Sequence, residues 1–214
     1  MFWNTVNDDL RYSLMKLMGA SELAEFRLVG GTALSLQLGH RISIDIDLFT
    51  DAPYRSVNFD SIDHFLKNTF EYIESDFGVN PGLGKSYLIG REACKMIKLD
   101  LYYAMDPFFR PAVVSEGIRM ASLEEIIAMK VDIVQRGGRK KDFWDLHELL
   151  ERYTISEMIE LHRQRSEWTH DESLILQNFT DFQTADTDFD PICLRGKQWL
   201  FIKDDFGLAL SGDH

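Results

Sequence analysis

Two cysteines in 214 residues, Cys94 and Cys193, are too few and too far apart for a disulfide framework, and they lack metal-ligand spacing. A reducing compartment suits such a chain. Long apolar runs are also missing, so no segment qualifies as a bilayer span, and Met1 to Asp9 carries no basic stretch ahead of an apolar one. The expectation is a soluble cytoplasmic protein with no membrane partner. Positive charge is scarce: 23 Lys and Arg stand against 35 Asp and Glu, a formal net charge of -12. That balance excludes a broad basic face able to displace counterions from long nucleic acid. Any nucleic-acid contact must be local, and basic residues do gather at Arg136, Arg139, Lys140 and Lys141. Internal repeats and low-complexity tracts are absent.

What is present is apolar content of 45%, enough to close a core in one compact domain or two small ones. Leu10, Leu14, Leu17 and Met18 recur at helical spacing before Gly19. Residues 26–29 read as a short buried strand, 32–38 as a helix starting at a glycine pair, and 43–49 as a strand. Residues 60–70 look helical. Strands follow over 71–77 and 87–90 around a turn at Asn80-Pro81-Gly82, and then over 95–103. From Ser122 the pattern is helical, with capping boxes at Ser122-Leu123-Glu124-Glu125 and Thr154-Ile155-Ser156-Glu157, and a stop at Gly137-Gly138. A helix over 140–152 lies between them. Leu174, Ile175 and Phe179 fit another, residues 184–191 look acidic and irregular, and 199–210 fits a closing helix. The expected class is α+β, a mixed sheet flanked by helices over residues 1–120 followed by a mainly helical region over 121–214.

Chemistry concentrates between residues 28 and 49. In an extended strand Asp45 and Asp47 share one face while Ile44, Ile46 and Leu48 point oppositely into a core. Two carboxylates held together call for a cation, and magnesium is the hard ion such oxygens prefer. Just upstream, Gly30-Gly31-Thr32 offers closely approaching backbone, amide donors at a helix start and a hydroxyl, as a phosphate cradle requires. The plain alternatives are a solvated strand face and a tight turn with Thr32 as helix cap; the two motifs together favour the site.

Further positions join it. Asp100 shares a strand face with Lys98 and Tyr102, so it either completes a metal site with Asp45 and Asp47, takes a proton from an attacking hydroxyl, or simply pairs with Lys98. Lys130 falls within the apolar stripe of Leu123, Ile126, Ile127 and Val134. It either snorkels or reaches a triphosphate oxygen. Asp142 and Asp145, one turn apart, are placed to hold Lys130 or Arg136, or to make surface pairs such as Lys141 with Asp145. His40 and Arg41, with Ser43 beside them, stay open between turn anchors and substrate contacts.

The run from Gly30-Gly31-Thr32 through His40-Arg41-Ile42-Ser43-Ile44-Asp45-Ile46-Asp47, then Lys98-Leu99-Asp100, Met129-Lys130, Arg136 and Lys141-Asp142-Phe143-Trp144-Asp145, resembles the AbiEii/AbiGii toxin family of nucleotidyltransferase-like proteins. The likeness covers about residues 25 to 150. It implies the polymerase-beta-like nucleotidyltransferase fold, with triphosphate on Gly31 and Thr32 and magnesium on Asp45 and Asp47. It also assigns Asp100 to the third acidic position and Lys130 and Asp142 to the basic and acidic positions of the helical part. Threonine replaces the serine often found after the glycines, and Lys141 stands where arginine is common, without its planar fork. The implied role is a magnesium-dependent toxin that transfers a nucleotide from a nucleoside triphosphate to RNA, transfer RNA included, and is paired with a cognate antitoxin protein. The alternatives are transfer to a small hydroxylated acceptor such as an aminoglycoside, which an acidic surface suits, and a non-catalytic nucleotide- or partner-binding module.

Overall fold

The strand bearing the two aspartates lies inside a seven-stranded mixed sheet in the computed structural model, which describes residues 1–79 and 81–212. The strands are β1 (Arg27–Leu28), β2 (Asp45–Thr50), β3 (Tyr72–Glu74), β4 (Gly84–Gly90), β5 (Ile97–Tyr103), β6 (Val113–Ser115) and β7 (Ile118–Met120). Their order is β3-β4-β5-β2-β1-β7-β6, with β2 parallel to β5 and β1 parallel to β7. β2 alternates as period-2 geometry demands: Ile46, Leu48 and Thr50 are buried while Asp45, Asp47 and Phe49 face the other side. On β5, Ile97, Leu99, Leu101 and Tyr103 supply the same core. The parallel register sets Asp47 directly opposite Asp100, and Asp45 opposite Lys98.

The helices are α1 (Asp8–Met18), α2 (Gly30–Leu38), α3 (Phe59–Thr69), α4 (Leu123–Gln135), α5 (Lys140–His147), α6 (Ile155–Arg165), α7 (Glu172–Asn178), α8 (Gln183–Asp186) and α9 (Trp199–Gly212). Asn7 caps α1 by accepting from the Leu10 amide at 2.7 Å, and Leu10, Leu14 and Leu17 are buried as their spacing requires. α2 connects antiparallel β1 and β2. α4 packs against α2, α5, α6 and α7, and so links the sheet to the helical part.

Several elements differ from expectation. β2 begins at Asp45, and Ile44 is 64% exposed rather than in the core, because residues 42 and 43 bond outside the ladder: the Ser43 amide donates to the Thr5 carbonyl. At α4 the capping box is half formed. Ser122 accepts from the Glu125 amide, but the Glu125 carboxylate is buried and turns to the Arg110 amide and Arg165. At α6 the Thr154–Glu157 box closes in both directions. The β6–β7 hairpin was not anticipated; its turn places Glu116 at φ 50° and Gly117 at φ 81°, the backbone of a tight two-residue hairpin turn. Residues 183–186 form a helical turn that runs into the stretch 184–191 expected to be irregular. Of the expected turn, Asn80 lies outside the described residues, and Gly82 has the positive φ of 58° that suits a turn.

Candidate functional site

A cleft of about 1290 Å³ opens on the polar face of β2 and β5, bounded by the start of α2, by α4 and α5, and by residues 188–192. Gly30, Gly31, Arg41, Ser43, Asp45, Asp47, Asp100, Lys130, Arg136 and Lys141 all line it. Segments distant in sequence therefore converge on one hollow. Thr32, His40, Asp142 and Asp145 stand behind its wall.

The glycine pair is dictated by its surroundings. Gly30 has φ +67°, and a β-carbon there would sit 3.0 Å from Asp47 Oδ2. At Gly31 a β-carbon would come within 2.2 Å of Arg41 Nη2. α2 starts here with Val29 as N-cap and no side chain capping its first turn, so the helix start faces the cleft uncapped. Thr32 does not. It is buried, bonds Ser43 Oγ at 2.7 Å and donates to the Asp45 carbonyl, so its hydroxyl fixes the start of β2 instead of lying open to a phosphate.

Among the described residues neither the Asp45 nor the Asp47 carboxylate makes an ion pair or a side-chain hydrogen bond. Burial, then Asp100 and Asp45, push Asp47 above the ordinary aspartate range. Asp100 differs: it accepts from Ser86 Oγ at 2.7 Å and pairs with Lys98, whose ammonium that bond raises above its usual value. No group of three or more His, Cys, Asp or Glu is arranged around one point among the described residues. The expected trio of Asp45, Asp47 and Asp100 is thus not preassembled, because Asp100 is turned to Lys98. The donor chemistry of Asp45 and Asp47 fits a hard divalent cation nonetheless: two free carboxylates, one strained by neighbouring negative charge, with room left for other oxygen ligands.

Beneath the cleft lies a buried charge network. Lys130 Nζ sits 2.6 Å from Asp142 Oδ1 and 2.7 Å from Asp145 Oδ2. Arg41 makes a two-pronged contact with Asp145 at 2.6 and 2.8 Å, and His40 Nε2 meets the same carboxylate at 2.8 Å. Arg139 closes on Asp142 at 2.7 Å. Burial alone would lift the Asp145 carboxyl, but Lys130 and Arg41 hold it well below its usual value. Burial would likewise lower Lys130, and Asp145 and Asp142 raise it instead. Lys130 is 4% exposed, so its ammonium is spent on two aspartates rather than offered to the cleft. Lys141 has no ion-pair partner among the described residues; burial and the nearby Arg139 and Lys130 lower its pKa. The unpaired cation of this wall is therefore Lys141, and Arg136 is exposed on Asp132.

Sequence reasoning missed the closing wall. Residues 188–192 reach the cleft because the Ile42 amide donates to the Ile192 carbonyl at 2.9 Å, and Arg41 bridges Cys193. The only sequence signal was the interruption of helical pattern between residues 184 and 191.

The family model for "Nucleotidyl transferase AbiEii toxin, Type IV TA system" matches residues 16–211. The uncharacterized protein aq_aa25 of Aquifex aeolicus (strain VF5) is 27% identical over 182 residues, covering 82% of each chain. Two solved structures share the fold. JHP933 from Helicobacter pylori superposes with a TM-score of 0.61 at 20% identity, over 94% of this chain and 87% of that one. MenT4, nucleotidyltransferase toxin Rv2826c from Mycobacterium tuberculosis H37Rv, gives 0.58 at 14% identity, over 94% and 82%.

Proposed function

Since the chain belongs to the AbiEii nucleotidyltransferase toxin family, we propose that it moves a nucleotide from a nucleoside triphosphate to a hydroxyl of RNA, transfer RNA being the finer form of this reading. The observation that carries it is the pair of unpartnered carboxylates, Asp45 and Asp47, beside the uncapped Gly30–Gly31 start of α2. The cleft volume of about 1290 Å³ exceeds the roughly 300–1,000 Å³ of a small-ligand pocket, leaving space for donor and acceptor together.

Asp45 and Asp47 would hold magnesium, which when bound neutralises phosphate oxygens and favours loss of pyrophosphate. The first turn of α2 receives the phosphate tail through backbone that no side chain obstructs. Lys141 adds a point charge to that tail. Arg41, aimed by Asp145, stiffens the glycine turn from behind, and Lys130 with Asp142 keeps α4 and α5 in register beneath it. Asp100 takes the proton of the acceptor hydroxyl after Lys98 yields to substrate; the oxygen bonds the α-phosphorus and the bond to the β-phosphate breaks. Positioning and charge neutralisation suffice, and no covalent nucleophile is needed.

A small cationic acceptor is the second reading, favoured by the net charge of -12 and by Asp132, Asp188 and Asp190 in the cleft wall. The non-catalytic module is set aside by membership of an enzyme family. No helix among the described residues is long and apolar enough to cross a membrane; a cytoplasmic site of action beside a cognate antitoxin completes the proposal.

The test incubates each of the four α-labelled triphosphates with total RNA and magnesium, using the Asp45→Ala, Asp47→Ala double variant as control. Label in RNA that the control lacks supports RNA as acceptor, and label confined to added aminoglycosides overturns it. Growth arrest on expression, abolished by Asp45→Ala, is the expected cellular counterpart.

A further inference from the structure

Phe189 is 99% exposed, yet it lines the same cleft as Asp45 and Asp47. A phenyl ring left wholly in water forgoes the burial that stabilises other aromatic side chains, so its placement calls for a reason. The backbone around it is held on both sides. The Asp188 carboxylate accepts from the Lys140 amide at 3.0 Å, and the Asp188 carbonyl accepts from Lys140 Nζ at 2.6 Å. Asp190 Oδ1 accepts from the same ammonium at 2.9 Å. Downstream, the Ile192 carbonyl and the Leu194 amide pair with Ile42 and His40, at 2.9 and 2.8 Å. A buried lysine thus grips the segment on either side of a ring left exposed to the cleft.

The ring has apolar company. Ile44, Met105 and Ile192, all exposed, line the same cleft. A cleft that carries carboxylates and an open helix start thus also carries exposed apolar side chains, the lining a planar, uncharged group requires. A chain of net charge -12 gains little from gripping phosphates along a strand. Stacking on an aromatic face needs no positive charge and accepts any base.

We infer that Phe189, clamped in the cleft through Lys140, is a stacking platform for a nucleobase, either that of the donor triphosphate or that of the acceptor's terminal nucleotide. This rests on the cleft being the transfer site. It gives residues 188–192 the task of holding a base while the glycine turn and Lys141 hold phosphate.

The test uses the full chain with Phe189→Ala and Phe189→Trp, neither of which disturbs packing because the ring is exposed. In one arm the four α,β-methylene nucleoside triphosphates, which resist transfer, and base-free inorganic tripolyphosphate are titrated by calorimetry. In the other, fluorescent single-stranded RNA and the same RNA with an abasic 3′ end are followed by anisotropy. Phe189→Ala is expected to weaken base-bearing probes in one arm by about tenfold, with tripolyphosphate and abasic RNA unchanged and Phe189→Trp restoring affinity. The arm that weakens names the source of the base. Unchanged binding of every base-bearing probe to Phe189→Ala, or an equal loss for tripolyphosphate, overturns the inference. Wild-type protein that binds none of the probes defeats the transfer-site reading itself, and this one with it.

Discussion

Gly31 and Arg41 touch across the turn: a β-carbon on Gly31 would meet Arg41 Nη2 at 2.2 Å. A long side chain usually escapes such a clash. Here the guanidinium is pinned by two hydrogen bonds to Asp145, at 2.6 and 2.8 Å, and cannot swing away without breaking them. Gly31→Ala is therefore expected to displace the phosphate turn and lower nucleotidyl transfer by roughly tenfold or more, as misplacement of a positioned group does. Against an Arg41→Ala background, which carries its own cost of a broken buried pair, Gly31→Ala should lose little further thermal stability because the clashing guanidinium is gone, and activity should stay low. Thermal unfolding and transfer assays on the two proteins check both halves.

Asp145 accepts from Arg41, Lys130 and His40 in a fully buried position. Removing it strands Arg41, whose one carboxylate partner it is among the described residues, and leaves Lys130 with Asp142 alone. Asp145→Ala is expected to cost roughly 3–5 kcal/mol in urea unfolding, the penalty of uncompensated buried charge. Asp100→Asn, on a carboxylate reached from the cleft, should change stability by less than about 1 kcal/mol while depressing turnover. An Asp145→Ala protein as stable as wild type would deny the network its structural role.

The strand of alternating aspartates and the glycine pair were legible because each depends on local geometry. A period of two puts Asp45 and Asp47 on one face whatever surrounds them, and Gly30 takes its positive φ where strand turns into helix. Two helix starts were readable for the same reason: Ser122 and Thr154 bond within three residues of themselves. What escaped depends on partners far along the chain. Lys130 reads equally as a snorkelling or a reaching lysine until α5 brings Asp142 and Asp145 to it. Glu125 leaves its capping box because Arg165 lies 40 residues away. β6 and β7 have three residues each, too few for a period to register, and β7 joins the sheet by pairing with β1. The wall at residues 188–192 is set by Ile42 and His40, about 150 residues upstream.

Lys130 and Lys141 line one cleft but stand in opposite states. Lys130→Met should behave as a folding lesion, lowering the unfolding midpoint sharply because Asp142 and Asp145 lose their shared counter-charge. Lys141→Met leaves no carboxylate stranded. It is expected to leave the unfolding free energy within about 0.5 kcal/mol of wild type and to raise KM for the triphosphate by about tenfold. Steady-state kinetics beside urea denaturation separates the two; equal loss of stability in both would contradict the assignment.

His162 is buried, bonded through Nδ1 to His170 Nδ1 at 2.8 Å, with Asp132 3.6 Å from its Nε2, too far for a hydrogen bond. Burial first, then Arg165 and Arg136, lower its pKa to about 4, against the opposing pull of Asp106. An unfolded chain takes up this proton near pH 6.5, and the folded one does not until about 4. Stability is thus full above the unfolded value and falls as pH drops across that window, by an amount on the order of 3 kcal/mol. His162→Asn should flatten the pH dependence of the unfolding free energy between those limits. Imidazole NMR should show the wild-type ring neutral well below pH 6.

Asp47 stands where function opposes stability. Burial, Asp100 and Asp45 raise its pKa, so the folded state binds the proton more tightly than the unfolded one, and stability is lost as pH rises through that interval. At neutral pH the ionised carboxylate works against the fold. Asp47→Asn keeps the shape, removes the charge and is expected to raise the melting temperature, while cutting transfer by at least about 10²-fold as loss of a charge-stabilising group does. The advantage should vanish in acid, where Asp47 is itself neutral. Magnesium is expected to raise the melting temperature of wild type, EDTA to reverse the gain, and the Asp45→Ala, Asp47→Ala protein to ignore both. A wild-type melting curve indifferent to millimolar magnesium, in the presence of a non-transferable triphosphate, would remove Asp45 and Asp47 from metal binding.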